Sequence, residues 1–159
     1  KLVMKCLSVS QPYADMIISG RKTIELRTWN TKFRGEFLLH APLKIKEEAC
    51  KRLKIDKNTL RTGVIIGRVE IFDVKKYKST SELKTDRDKH LASGDFLHHR
   101  YGFLLKNPRA LRIPIPYKGR LGFFEVDIHQ KPSRTDIKSD LFDEEYRYCI
   151  CNSRFTTTA

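Results

Sequence analysis

The spacing of apolar and polar residues changes several times along the chain, and those changes outline its elements. Val3 to Val9 is dense in apolar and β-branched residues and predicts a first strand. Ser10 suits a helix N-cap, and Pro12 is tolerated in a first turn, where its missing N–H has no partner. Tyr13, Met16 and Ile17 then recur at helical spacing until Gly20 stops the helix. From Thr23 the period drops to two. Ile24 and Leu26 face a core, while Thr23, Glu25, Arg27 and Trp29 face the other way. After a polar loop, Glu36 to Ala41 reads as a strand with Phe37 and Leu39 on one side and Leu38 and His40 on the other. Ile45, Ala49 and Leu53 predict a helix over Leu43 to Lys54. Gly63 to Val74 predicts a long strand. Ile65, Val69 and Ile71 share a face with Gly67, where a bend or bulge is expected, and Arg68 and Glu70 lie opposite.

The second half is less regular. Lys75 to Ser93 is charged and poor in apolar periodicity, which predicts an exposed helix or an irregular excursion. Tyr101 to Leu105 returns as a strand. Leu111 to Pro116 alternates but carries prolines, which confine it to a sheet edge or a turn-rich crossover. A turn at Gly119 to Gly122 leads to Phe123 to Ile128, which closes the sheet. Lys131-Pro132-Ser133 marks a boundary. We therefore expect one domain over residues 1–130 and an extension over 131–159. The extension is partly helical at Asp140 to Tyr148, and is packed on the domain or frayed.

Composition narrows the class. The chain has 159 residues, 40% of them hydrophobic, which suits one folded domain. Without an apolar run of about 18 residues, no spanning helix and no membrane partner are expected. Cys6 in a strand and Cys50 on a helix read as small core residues. Cys149-x-Cys151 is half a metal site at best, and the adjacent His98 and His99 would point apart on a strand. No metal and no cofactor are expected, and cytoplasmic residence follows by default. Lys and Arg total 32 against 19 acids, a net charge of +13, which favours anionic partners and nucleic acid above all.

Candidate chemistry gathers over Gly20 to Trp29. Lys22 sits at the mouth of a strand. If the chain doubles back after the first helix, Lys22 comes near Ser10 and Gln11 and the corner becomes a cleft. The candidate ligand- or RNA-binding residues are Ser10, Gln11, Tyr13, Lys22, Thr23, Glu25, Arg27 and Trp29. Lys22 and Arg27 suit a phosphate, a carboxylate or a polar base edge. Glu25 suits base amino groups or pins the arginine. Trp29 and Tyr13 offer stacking surfaces, as single-stranded nucleic acid commonly uses, against the competing reading of core packing. The competing reading of the whole stretch is a salt-laced surface strand. His40 reads as a satisfied core histidine. Lys44, Lys46, Lys51, Arg52 and Lys54 form a solvated helix face. With Lys75, Lys76 and Lys78 they become a phosphate-tracking rim only if the fold brings them together.

Gly20-x-Lys22-x-x-Glu25-x-Arg27 resembles the GxKxxExR signature of the ASCH family. The flanks agree: Leu7-Ser8-Val9-Ser10-Gln11-Pro12-Tyr13-Ala14 before it and Arg34-Gly35-Glu36-Phe37-Leu38-Leu39-His40-Ala41 after it. Tyr101-Gly102-Phe103 and Pro114 to Gly122 resemble the closing strands of longer members. The likeness spans about residues 3 to 128. It implies an α+β fold, a small PUA-like mixed or antiparallel β-barrel with a few short peripheral helices. It also implies a cleft for RNA or a nucleotide-like ligand. Some short ASCH-like proteins resemble amidohydrolases acting on a modified nucleoside such as N4-acetylcytidine. These use the motif lysine, a hydroxyl two residues before the arginine and a later carboxylate. In this chain Lys22 matches, but Glu25 stands at the hydroxyl position and Glu70 is the available carboxylate. The leading expectation is a module binding RNA or a nucleoside-like small molecule. The alternative is a hydrolase using Lys22, Glu25 and Glu70.

Overall fold

The computed structural model describes residues 2–94, 100–130 and 148–150. In chain order its strands and helices are β1 (Leu2–Ser8), α1 (Tyr13–Ile18), β2 (Ile24–Arg27), β3 (Gly35–Ala41), α2 (Glu47–Leu53) and β4 (Val64–Lys76). They continue with α3 (Thr80–Thr85), α4 (Arg87–His90), β5 (Tyr101–Pro116), β6 (Phe123–Gln130) and β7 (Tyr148–Ile150). Of the expected helix at Asp140 to Tyr148 only Tyr148 is described, and it begins β7; the rest of that helix, the His98-His99 pair and Cys151 lie outside the described residues.

The α+β expectation holds, with one correction. All strands join one mixed sheet in the order β2-β5-β4-β3-β1-β6-β7, with β1 and β3 parallel and every other pair antiparallel. The sheet is open, not a closed barrel: among the described residues no ladder joins β2 to β6 or β7. Side chains fill the gap instead of backbone pairing. Phe103 of β5 stacks on Phe123 of β6 with ring centroids 6.1 Å apart, although four places separate these strands in the sheet. Trp29, just beyond β2, stands edge-on to both rings. A four-residue β2 has too few backbone groups to close a barrel, and strongly coiled sheets can seal on aromatic packing instead.

The core has a large part and two smaller ones. Leu7, Val9, Ile17, Phe37, Leu39, Val69, Ile71 and Phe103 pack on the inner face. Cys6, Leu38, Ile65, Phe124 and Val126 pack on the other. The single face expected for Ile65, Val69 and Ile71 is therefore split. A register shift between Ile65 and Gly67 reverses the alternation, so that Ile66 joins Val69. Gly67 lies against β5, where an added Cβ would stand 2.4 Å from the Arg109 carbonyl oxygen.

Three local expectations change. Ser10 does not cap α1 with its side chain. Pro12 holds the N-cap position, and the buried Gln11 does the capping, its Oε1 accepting from the Asp15 N–H at 3.0 Å. The second helix begins at Glu47, not Leu43. The Lys46 N–H donates to the Gln11 carbonyl, which holds residues 43–46 against the turn before α1, and Leu43 covers Gly63. Residues 75–93 are not an exposed excursion. Tyr77, Leu83 and His90 are buried, and Tyr77 and Leu83 pack with Ile24 and Leu26 in the third core cluster. Two very short helices break the periodicity there, and Asp86 between them accepts from the Tyr77 hydroxyl at 2.6 Å and pairs with Lys75. The proline-rich end of β5 is an edge, as expected, because β2 covers only Tyr101 to Leu104.

Candidate cleft at the β1–α1–β2 corner

Alternation along β2 decides which side chains meet. Ile24 and Leu26 enter the core, so Glu25 and Arg27 emerge together on the opposite face. The buried Lys22 lies at the mouth of that strand. Its Nζ donates to the carbonyl oxygens of Ile24 and His90 and stands 3.3 Å from Glu25 Oε1. The Tyr13 ring covers the ammonium at 5.0 Å from its centroid. Arg27 Nε donates to Glu25 Oε2 at 3.0 Å, and Nη2 stands 2.8 Å from the same oxygen while donating to the Ser8 carbonyl at 2.8 Å. The result is a Lys22–Glu25–Arg27 triad with its side chains 2%, 11% and 21% exposed.

Electrostatics follow from that geometry. Burial pushes the Lys22 ammonium below its ordinary value, with Glu25 opposing. Burial also drives the Glu25 carboxyl up, but Arg27 and Lys22 together outweigh it and hold Glu25 below the usual carboxylate range. The carboxylate is thus kept charged between two cations. The triad retains a net positive charge, and among the described residues Arg27 Nη1 has no partner.

Above this floor opens a cleft of about 870 Å³. Ser8, Ser10 and Tyr13 form one wall, residues 44–49 a second, and residues 92–94 a third. The third wall is tied to the floor. The Thr23 N–H donates to the Lys89 carbonyl, Lys22 to that of His90, and Arg52 to that of Leu91 and to the Tyr13 hydroxyl. These are the last carbonyls of α4, which a helix end leaves without partners of its own. At the rim, Lys44 and Lys46 are exposed and unpaired among the described residues, whereas Glu47 is taken by Lys57.

The corner expected from the sequence therefore forms, with a division among its members. Ser10, Tyr13, Lys22, Glu25 and Arg27 line one cavity. Gln11 lies beneath it, bonded to Asp15 and to the Arg61 carbonyl. Thr23 is exposed outside its lining. Trp29 packs on the aromatic seal. Glu70 pairs with Lys106 at 3.3 Å on the β4–β5 ladder and does not line the cleft. Of the scattered lysines, only Lys44 and Lys46 reach the cleft, while Lys75 is spent on Asp86. The sequence offered no signal for the wall at 92–94, which has no periodicity and no motif. Ser8 also lines the cleft, and its place at the end of β1 was the available clue.

The domain is thus an open mixed α+β sheet with a charged cleft at a strand–helix–strand corner. Residues 7–111 match the family model of the ASCH domain, and the chain belongs to that family. It is 30% identical over 149 residues to activating signal cointegrator 1 of Homo sapiens, covering 85% of this chain and 25% of that protein. The Mus musculus protein gives the same identity and coverage. The chain thus spans about a quarter of the length of these relatives. Its fold is similar to the crystal structure of ASCH from Zymomonas mobilis, with a TM-score of 0.52 and 16% identity, covering 70% of this chain and 71% of the other.

Proposed function

We propose that the cleft binds RNA or a nucleotide-like anionic ligand, and that this chain is a recognition module. One observation carries the reading: positive charge converges on a concave site and is not fully compensated there. The triad holds two cations against one carboxylate, and the rim adds Lys44 and Lys46 without ion pairs among the described residues. The lining also carries Glu47, spent on Lys57, and Glu48, so cations exceed acids without being alone there, and a concave site with an excess of one sign concentrates ligands of the other. Within it, Arg27 Nη1 offers two N–H groups to a phosphate or base carbonyl, and Tyr13 presents a half-buried ring. Lys22 is not a ligand clamp in this reading, because its three donors are directed to Ile24, His90 and Glu25. Membership in the ASCH family and likeness to a signal cointegrator agree with a binding role.

The test is a salt titration of binding to short single-stranded and hairpin RNAs. Wild type is compared with Arg27→Ala and with Lys44→Ala/Lys46→Ala. Salt-steep binding is expected, with the double variant lowering the log–log slope by about 1.4, or roughly 0.7 per lost phosphate contact. Binding indifferent to all three substitutions would move RNA to another basic surface. No binding at low salt would remove RNA as the partner.

A further inference from the structure

Beside the triad, Ser8 at the cleft and His40 buried behind it form a polar pair that ligand binding does not use. The buried His40 places Nε2 2.7 Å from the Tyr117 carbonyl oxygen. A carbonyl only accepts, so Nε2 carries the proton and Nδ1 carries the lone pair. Ser8 Oγ lies 2.9 Å from Nδ1, so the serine hydroxyl donates to it. Ser8 lines the cavity. Burial holds the imidazole below its ordinary histidine value, so it is neutral at pH 7. Arg27 donates to the Ser8 carbonyl, which sets a guanidinium beside the serine. Room for the pair depends on Gly119: a Cβ there would stand 2.5 Å from Ser8 Oγ and 2.7 Å from His40 Cε1. The other buried histidine shows the contrast. In His90 both ring nitrogens meet backbone groups, Nε2 the Leu83 carbonyl and Nδ1 the Ala92 N–H. His40 instead directs one nitrogen to the hydroxyl of Ser8, a residue that lines the cleft.

We propose that Ser8 and His40 form a nucleophile–base dyad that accepts an acyl group from a small ester entering the cleft. A nucleophile bonded to a base, itself oriented by a third group, is the arrangement that activates serine. Ser8 Oγ attacks the ester carbonyl carbon and its proton passes to His40 Nδ1. The C–O bond to the alcohol then breaks, and that oxygen takes the proton from Nδ1. Water next attacks the acyl carbon, gives its proton to Nδ1, and the Oγ–C bond breaks as Oγ regains a proton. Arg27, held at the Ser8 carbonyl, would be the cation nearest at hand for the oxygen that becomes negative. The proposal stands apart from RNA recognition, and its failure leaves that reading untouched.

The experiment uses a fluorophosphonate probe. Ser8 Oγ would displace fluoride at phosphorus while His40 Nδ1 takes the proton, and peptide mass spectrometry would locate the adduct. We expect one adduct on Ser8 in the wild type and none in Ser8→Ala. In His40→Gln the labelling rate falls by roughly 100-fold, the scale of general-base assistance. The wild-type rate rises with pH as His40 loses its proton and is level from pH 7 to 8, which decides the matter if His40→Gln does not fold. No adduct on Ser8 overturns the proposal. So does an undiminished rate in folded His40→Gln, or a wild-type rate still climbing tenfold per unit at pH 8.

Discussion

Floor and rim of the cleft carry the same kind of charge in opposite settings. Lys22 is almost wholly buried, its donors directed to two carbonyls and a carboxylate. Lys44 and Lys46 are exposed and form no ion pair among the described residues, although Glu47 and Glu48 share their rim. The first has little left to offer a ligand, and its removal strands groups inside the fold. The other two contribute little to folding and remain available to an anion. Cations in one cleft thus divide the work of building it from the work of using it, and burial decides which does which.

The sharpest way to break that comparison is Lys22→Met. It removes one of the two cations beside a buried carboxylate and leaves two carbonyls short of a donor. A loss of about 3–5 kcal/mol is expected in urea unfolding, the scale for breaking a buried pair. A loss below about 1 kcal/mol would place Lys22 with the rim instead.

Acid separates the two sets next. His40 and His90 are held neutral by burial, so their folded values lie below the unfolded one. The unfolded chain then binds more protons, and stability falls as pH drops below about 6.5, by up to roughly 1.4 kcal/mol per unit for each histidine. Glu25 has the same sign further down. Its contribution is present above the ordinary carboxylate value of about 4.3 and is lost as pH falls through its depressed folded value. Unfolding midpoints flat from pH 7.5 to 5 would contradict the burial of both histidines.

Arg27→Lys keeps the charge but loses the planar fork that reaches Glu25 and Ser8 together. About 1–2 kcal/mol of stability should go, near the net value of a charged hydrogen bond, and RNA affinity should drop with it. Retention of both would mean that charge alone matters at this position.

The smallest effect on folding belongs to Lys44→Ala/Lys46→Ala. Stability should move by less than about 0.5 kcal/mol, as for exposed positions without special contacts. Thermal melting beside the salt titration checks both halves. A large loss of stability would make these lysines part of the floor.

Much of this arrangement is legible in the sequence. Period-two spacing put Glu25 and Arg27 on one face of β2, and the motif tied Lys22 to them. Roles were less legible than places. Lys22 read as a phosphate clamp because a sequence does not show that His90, 68 positions later, supplies a carbonyl to it. The helix–helix segment at 75–93 read as exposed because two short helices carry too few turns for an apolar stripe to register. Ile65 fell on the wrong face because one bulge reverses every later position.

By itself, the sequence determined the strands and helices with strong local periodicity, the basic character of the chain and the charged residues of one short strand. Those properties depend on neighbours a few positions apart. Only the tertiary structure decided that the sheet stays open and is sealed by Trp29, Phe103 and Phe123, that Lys22 is consumed in holding a wall, and that Ser8 meets His40. Each of these joins residues far apart in the chain, where packing and burial set the partners and local pattern carries no record of them.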